Sequence, residues 1–289
     1  MEDSKGTLIV AETGSDIPAE LVSAYNINIV PMHVAMGNET LDDGKFPIQK
    51  IYDYYKRTKR VPTTSATNPE EYKNMFEKLH RLFPEKQILH LCYSAVTTAT
   101  YQNSLIGSED MDYVTHMDTK GVSLAQAAVV LKIARFLEKK PFSPMEELIA
   151  VTQNCISRLK FSFLPGSLEY LRAGGRVSNA AYLGASILGI KPLIEIIDGK
   201  LICTKKYRGK IQRVSLQLIE DAICSNNYEK DELYLVYSEG LDKEVMDNAV
   251  TAVKKLGYPN VQWIKTGGVI TCHSGPGAFG IGGFSAEQS

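Results

Sequence analysis

The sequence predicts an α/β fold in two domains: an N-terminal parallel α/β sheet covered by helices, and a smaller C-terminal α+β domain with a mixed sheet. Three observations predict it. The chain has 289 residues, long for one domain and comfortable for two. Its first half alternates short β-rich runs with helical runs, the order that builds a parallel sheet with helices on both faces. After Pro144 the alternation gives way to two β-rich runs around Asp198-Gly199-Lys200, a hairpin signal. The change of character falls at residues 140–158, so the expected domains are residues 1–152 and 153–289.

In order, residues 7–11 (TLIVA) are a buried-type apolar run and read as a strand. Residues 17–25 read as a helix whose first turn holds Pro18, where the missing N–H is tolerated. Residues 28–36 return to β-rich side chains. Residues 48–60 and 69–83 are amphipathic helices, charged on one face. A strand at 88–92, a helix opening at 100–105, a strand at 113–117 and a strong helix at 124–139 complete the first pattern. A helix at 145–158 and a strand at 159–164 follow. A short helix at 167–172 is stopped by Gly174-Gly175. Residues 180–190 read as an apolar helix, more often core than ligand pocket, in which Gly184 and Gly189 would leave room for a slender apolar ligand. Hairpin strands at 193–197 and 201–205, a helix at 211–224, a strand at 233–237, a helix at 243–256 and a strand at 261–264 close the series.

Hydrophobic content of 44% and charged content of 22% are ordinary for a globular chain in water. A net charge of −1 gives no electrostatic footprint for nucleic acid and no drive toward an anionic membrane surface. The opening MEDSKGTLIVAE is acidic and poor in apolar residues, unlike a secretory signal. The most apolar helical run, 124–137, is interrupted by Lys132 and Arg135 and is too short to span a bilayer, so no stable membrane insertion is expected. The five cysteines are scattered and never spaced as CxxC, which points to a reducing cytoplasm and away from structural zinc. The histidines show no HxxxH or HExxH spacing, so no metal is expected. There is no P-loop, no GxGxxG after a strand and no GxSxG elbow, so no cofactor is expected either.

The most informative stretch is His273-Ser274-Gly275-Pro276-Gly277-Ala278-Phe279-Gly280. It sets a titratable imidazole beside a glycine turn. Gly275 and Gly277 let backbone N–H groups approach a small anion, and Pro276 stiffens the turn. The alternative is a surface turn between strands with a solvated histidine. Residues 63–69 (TTSATNP) place hydroxyls before a helix. Asn68 followed by Pro69 fits a helix cap, which leaves Thr64 and Ser65 spare to hold a carboxylate or phosphate. Residues 94–101 (SAVTTATY) follow a strand, and in an open parallel sheet ligands bind beyond the carboxyl ends of strands. Thr97 and Thr98 serve there either as helix caps or as ligand contacts. Gly174-Gly175-Arg176-Val177-Ser178 holds a guanidinium, which binds oxyanions bidentately or satisfies helix C-terminal carbonyls. Cys272 beside His273 offers no nucleophile, because neighbours in an extended segment point to opposite sides.

Taken together these segments resemble the DegV family of bacterial lipid-binding proteins over nearly the whole chain. The opening IVAETGSDIP (residues 9–18), PTTSATNPEEY (62–72), SAVTTATYQ (94–102) and DTKGVS (118–123) correspond to family segments in shared order. RAGGRVS (172–178), KPLIEIIDGKL (191–201), Arg208-Gly209-Lys210 and HSGPGAFGIGGF (273–284) match best. Three departures stand out: Ala11-Glu12-Thr13 replaces the family's TDS, Ala66-Thr67 replaces Gln-Pro, and Val96 and Ala99 replace glycines. The resemblance implies two α/β domains with a long-chain fatty acid between them. It implies that the carboxylate is held by Thr64 and Ser65, by Thr98, and by His273 with its glycine turn Gly275 and Gly277. It further implies a binding subunit rather than an enzyme, which presents the acid to a separate ATP-dependent fatty-acid kinase that makes an acyl-phosphate for phospholipid synthesis. Arg176 is expected to contact either the head group or, from the rim, the kinase. The competing expectations are an autonomous esterase or phosphatase using His273 and a hydroxyl, and a carrier of another amphipathic acid.

Overall fold

The computed structural model describes residues 6–179 and 189–287. The apolar helix expected at 180–190 lies outside the described residues, apart from its last two positions. In chain order the elements are β1 (Thr7–Glu12), α1 (Ala19–Ala24), β2 (Asn28–Val30), β3 (His33–Met36), β4 (Glu39–Asp42), α2 (Gln49–Thr58) and β5 (Thr63–Ser65). Next come α3 (Pro69–Leu82), β6 (Gln87–Cys92), α4 (Thr100–Gly107), β7 (Val114–Asp118), α5 (Leu124–Lys139) and α6 (Met145–Arg158). The remainder runs β8 (Leu159–Leu164), α7 (Leu168–Gly174), β9 (Ile190–Ile197), β10 (Lys200–Arg208), α8 (Ile211–Asn226) and β11 (Tyr228–Tyr237). It ends with α9 (Lys243–Lys255), β12 (Val261–Lys265), α10 (Gly268–Ser274) and β13 (Phe279–Ser285).

The N-terminal half builds a parallel sheet in the order β2-β1-β6-β7, as the alternation predicts. One face is covered by α3, whose Tyr72, Phe76 and Leu79 pack on Val10, Val30 and Ile88. Asn68 caps that helix: its side chain accepts from Glu71 N while the Glu71 side chain accepts from Asn68 N, a reciprocal capping box. The other face is covered by α5, which also packs on β8, β11 and β13 of the C-terminal sheet. Because α5 is enclosed between two sheets, its residues from Leu124 to Leu131 are all buried. Two of its cations escape at the edge, where Lys132 and Arg135 pair with Glu229 and Glu232.

The C-terminal sheet is six-stranded and mixed, in the order β10-β9-β8-β13-β11-β12, with only β11 and β12 parallel. The predicted hairpin joins β9 to β10, with Asp198 at φ 48° and Gly199 at φ 78°, a turn open to small or Asx residues. Its tip reaches the first sheet, where Ser94 Oγ donates to Gly199 O at 2.8 Å.

Three expectations need correction. Residues 28–36 are not one β segment: Pro31 breaks them, and β3 leaves to pair with β4 and β5 in a separate three-stranded sheet. Residues 268–274 are helical, so Cys272 and His273 are consecutive helix positions rather than opposite sides of an extended run. Residues 279–285, of which Phe279 and Gly280 read as the end of a glycine turn, form the interior strand β13. Its glycines are there for space: a Cβ at Gly280 would lie 2.8 Å from Phe163 Cβ, and one at Gly282 would lie 2.6 Å from Leu124 Cδ2. Among the described residues no helix is long and apolar enough to cross a membrane.

Candidate functional site

The site is assembled around α10. This helix begins in Gly267-Gly268, which carry no capping side chain, so its first amides need outside acceptors. Two carboxylates from the N-terminal half supply them: Gly267 N donates to Asp16 Oδ1 at 2.7 Å and Gly268 N to Asp43 Oδ1 at 2.6 Å. Ser123, at the start of α5, donates its hydroxyl to the other oxygen of Asp16. Glycine is needed at the junction, because a Cβ at Gly268 would lie 2.8 Å from the Phe46 ring. Burial raises both carboxyls above their ordinary values, Asp43 adds to the rise at Asp16, and the hydrogen bonds each receives offset part of it. A chain of hydroxyls, Ser274 to Ser238 at 2.8 Å and Ser238 to Thr266 at 3.1 Å, ties the end of α10 to the loop after β11.

Held this way, α10 forms one wall of a slender pocket between the two sheets. Its apolar lining comes from Phe161, Phe163, Leu171, Val236, Val269 and Phe279. Polar side chains line it as well. Thr64 and Ser65 enter from β5, Thr97 and Thr98 from the loop after β6, Ser123 from the turn before α5, and His273 from the last turn of α10. Thr64 Oγ1 lies 2.8 Å from His273 Nε2.

His273 is neutral at ordinary pH. Burial pushes its imidazole down to about 4, and the nearby Arg176 guanidinium adds to the effect. The ring is partly open toward the pocket, whereas Nδ1 is buried and has no hydrogen-bond partner among the described residues. A general base is normally oriented by a third group on its far nitrogen. Here that nitrogen packs against Gly174 instead, where a Cβ would lie 2.3 Å away. Neutral imidazole and hydroxyls make a cradle of hydrogen-bond donors, suited to an anionic head group more than to nucleophilic attack.

All the residues singled out from the sequence as head-group contacts therefore line this one pocket: Thr64, Ser65, Thr98, His273 and Arg176. Arg176 is exposed, and its Nη1 donates to Gly174 O at 2.7 Å. The glycine turn acts differently from the expectation. The amide of Gly275 is taken by Thr271 O at 2.9 Å and that of Gly277 by Glu239 O at 3.2 Å, so neither is offered to an anion. Gly275, at φ 72°, instead lets the chain turn tightly against Ser167, which a Cβ would meet at 2.7 Å. Sequence reasoning missed Asp16, Asp43 and Ser123, whose task is to place α10. The one available signal was a helix opening on two glycines with no cap of its own.

Comparison with known proteins agrees with this architecture. A family model described as "Uncharacterised protein, DegV family" matches residues 7–286. A DegV domain-containing protein of Caldanaerobacter subterraneus is 28% identical over 281 residues, covering 94% of this chain and 96% of its own. One from Listeria innocua is 28% identical over 285 residues, with coverage of 94% and 96%. Among solved structures, a DegV family protein of Thermus thermophilus, described by its fatty acid binding, superposes with a TM-score of 0.87 at 22% identity. The match covers 97% of this chain and 100% of that one. A stearic acid-binding protein of Eubacterium ventriosum gives 0.81 at 22% identity, covering 95% and 96%. At such identity the likeness establishes a common fold.

Proposed function

The chain belongs to the DegV family, and from that premise we propose that it binds a long-chain fatty acid and presents the carboxylate to a separate ATP-dependent fatty-acid kinase. The observation that carries the reading is that hydroxyls, an imidazole and a run of apolar side chains line one pocket, with Thr64 and His273 in contact. Thr64, Ser65, Thr98 and His273 hold the carboxylate, and the acyl chain runs among Phe161, Phe163 and Phe279. The pocket lies between an N-terminal domain, residues 1–152, and a C-terminal domain, residues 153–289.

The energetics support this reading. Each buried methylene contributes roughly 0.8 kcal/mol, so a long chain supplies affinity without any specific chemistry. Burying the carboxylate without partners would cost several kcal/mol, and the clustered donors offset that. The head group stays near the mouth beside Arg176, where a kinase can reach it. The chain itself is not an enzyme in this reading, and it works in the cytoplasm, where ATP and reduced thiols are at hand.

Native mass spectrometry of the purified protein tests the proposal. The expected result is a bound mass equal to one monocarboxylic lipid, exchangeable with added fatty acid. A protein that carries no lipid and takes up none from a panel of saturated and unsaturated acids overturns it. Turnover of acyl or phosphate esters by the pure protein would instead establish a hydrolase.

A further inference from the structure

A second polar cluster lies under α3 and α4, outside the pocket. His90 and Cys92 are two residues apart on β6 and so share a face, and both are fully buried. The parallel pairing of β6 with β7 sets His116 directly opposite His90.

The partners of the two rings fix where their protons are. His90 Nε2 lies 2.8 Å from Glu12 Oε1. Glu12 also accepts from the Tyr72 hydroxyl at 2.6 Å, from Gln126 Nε2 at 2.6 Å and from Tyr93 N at 3.0 Å. A carboxylate accepting so many bonds is an acceptor for His90 as well, so Nε2 of His90 carries a proton. His116 Nε2 lies 2.8 Å from Ser108 Oγ, whose own proton goes to Ser104 O at 2.9 Å. Ser108 therefore accepts, and Nε2 of His116 is protonated too. The lone pairs are left on the two Nδ1 atoms, and these face each other at 3.0 Å. Cys92 Sγ stands 3.2 Å from His90 Nδ1, and Ser104 Oγ stands 3.2 Å from His116 Nδ1. The Ser104 proton goes to Tyr101 O at 2.8 Å and the Cys92 thiol is directed at His90 O at 3.5 Å, so lone pairs converge here and repel unless a proton or a metal cation sits among them.

We propose that His90, Cys92 and His116 form a metal site for a borderline d10 cation, with zinc the first ion to test. One donor atom from each residue lies within 4.8 Å of the others. Two imidazole nitrogens and a sulfur are the donor set such ions select. The surrounding groups match as well: ligating histidines usually donate their other N–H to a carboxylate or similar acceptor, as these do to Glu12 and Ser108. Zinc bonds of about 2.0–2.1 Å to nitrogen and 2.3 Å to sulfur ask for donor separations of about 3.3–3.6 Å. The cluster must therefore open by a few tenths of an ångström, with Ser104 Oγ bordering the fourth position. Binding forms two Zn–N bonds and one Zn–S bond. It releases the Cys92 thiol proton and the proton otherwise shared between the rings. Charge stays balanced, with zinc's two positive charges set against the Cys92 thiolate and the Glu12 carboxylate.

The test uses untagged protein carrying Cys224→Ser, which removes the exposed thiol. It is refolded with zinc so that burial does not block entry, then dialysed and analysed for metal. One zinc per chain, with two protons released per zinc in weak buffer, is the expected result. Cobalt should give a near-ultraviolet thiolate band that Cys92→Ser abolishes, and Ser108→Ala should weaken retention roughly tenfold or more. Substoichiometric metal, or retention unaltered in Cys92→Ser, overturns the proposal and leaves a proton as the cation between the rings. Lipid binding is read separately and does not depend on the outcome.

Discussion

The imidazole of His273 fills the space that a side chain on residue 174 would need: a Cβ on Gly174 would lie 2.3 Å from Nδ1. Gly174 holds one side of the ring and the Thr64 hydroxyl the other. Gly174→Ala therefore displaces the imidazole, although alanine suits the helix better than glycine. The expected cost is about 1–3 kcal/mol of stability from overpacking, with weaker fatty-acid retention. Thermal melts and lipid titration read both, and an unchanged melting temperature with unchanged retention would show that the ring is not held this way.

Thr64→Val removes a hydrogen-bonding hydroxyl while keeping its shape. Bonds to charged groups contribute roughly 1.5–3 kcal/mol, so fatty-acid affinity should fall about 10- to 100-fold, and Thr64→Ser should keep most of it. Ser65→Ala and Thr98→Ala follow the same logic. Calorimetric titration of a single acid measures each, and a residue whose loss changes nothing drops out of the cradle.

The pH dependence of His273 has a definite sign. Its pKa is pushed down to about 4 from an ordinary 6.5, so between these values the unfolded chain binds more protons than the folded one. Its contribution to stability is present above pH 6.5 and is lost as pH falls through about 4. His273→Gln should flatten the melting-temperature profile across that window. A bound carboxylate should move the titration upward, and NMR of the imidazole with and without fatty acid checks this.

Asp16 acts in the opposite direction. Burial, together with neighbouring Asp43, raises its carboxyl. Its contribution is fully present below the ordinary carboxylate value of about 3.9 and is lost as pH rises through the folded-state value. Asp16→Asn can still accept from Gly267 and should flatten the loss of stability on raising the pH. A steeper decline in the variant would contradict the assignment.

Arg176 stands exposed at the mouth, with Nη1 on Gly174 O. A rim guanidinium steers partners more than it tightens a buried ligand. Arg176→Ala should keep the lipid and lose phosphorylation in a reconstituted kinase assay. Loss of lipid with a normal fold would place the guanidinium on the carboxylate instead.

Elements that carry their own signal were legible in the sequence. The apolar periodicity of α5 and α6 defines both helices, Asn68-Pro69 marks the start of α3, and Asp198-Gly199 marks the hairpin. Elements set by distant partners were not. Strand β13 is half glycine-like in character and shows no alternation, because its neighbours on β8 and β11 require the missing side chains. Helix α10 starts without a cap because Asp16, 251 residues earlier, accepts its first amide. At the site, hydroxyls and the histidine were visible as residue types, but the carboxylates that place α10 had no local pattern. The facing rings of His90 and His116 were hidden for a similar reason, since the spacing that joins them runs across strands and not along one helix.

Strand β13 also bears on synthesis. It fills the gap between β8 and β11, and until residues 279–285 leave the ribosome those two strands have exposed edges and no bridge between them. The parallel sheet of the first half needs none of those residues and is free to form early. The C-terminal sheet waits, with the edges of β8 and β11 open to wrong pairings in the meantime. Docking of β13 then completes the sheet, and it fixes Phe279 in the wall of the pocket at the same moment. Closure of the C-terminal sheet and completion of the pocket wall are therefore one event.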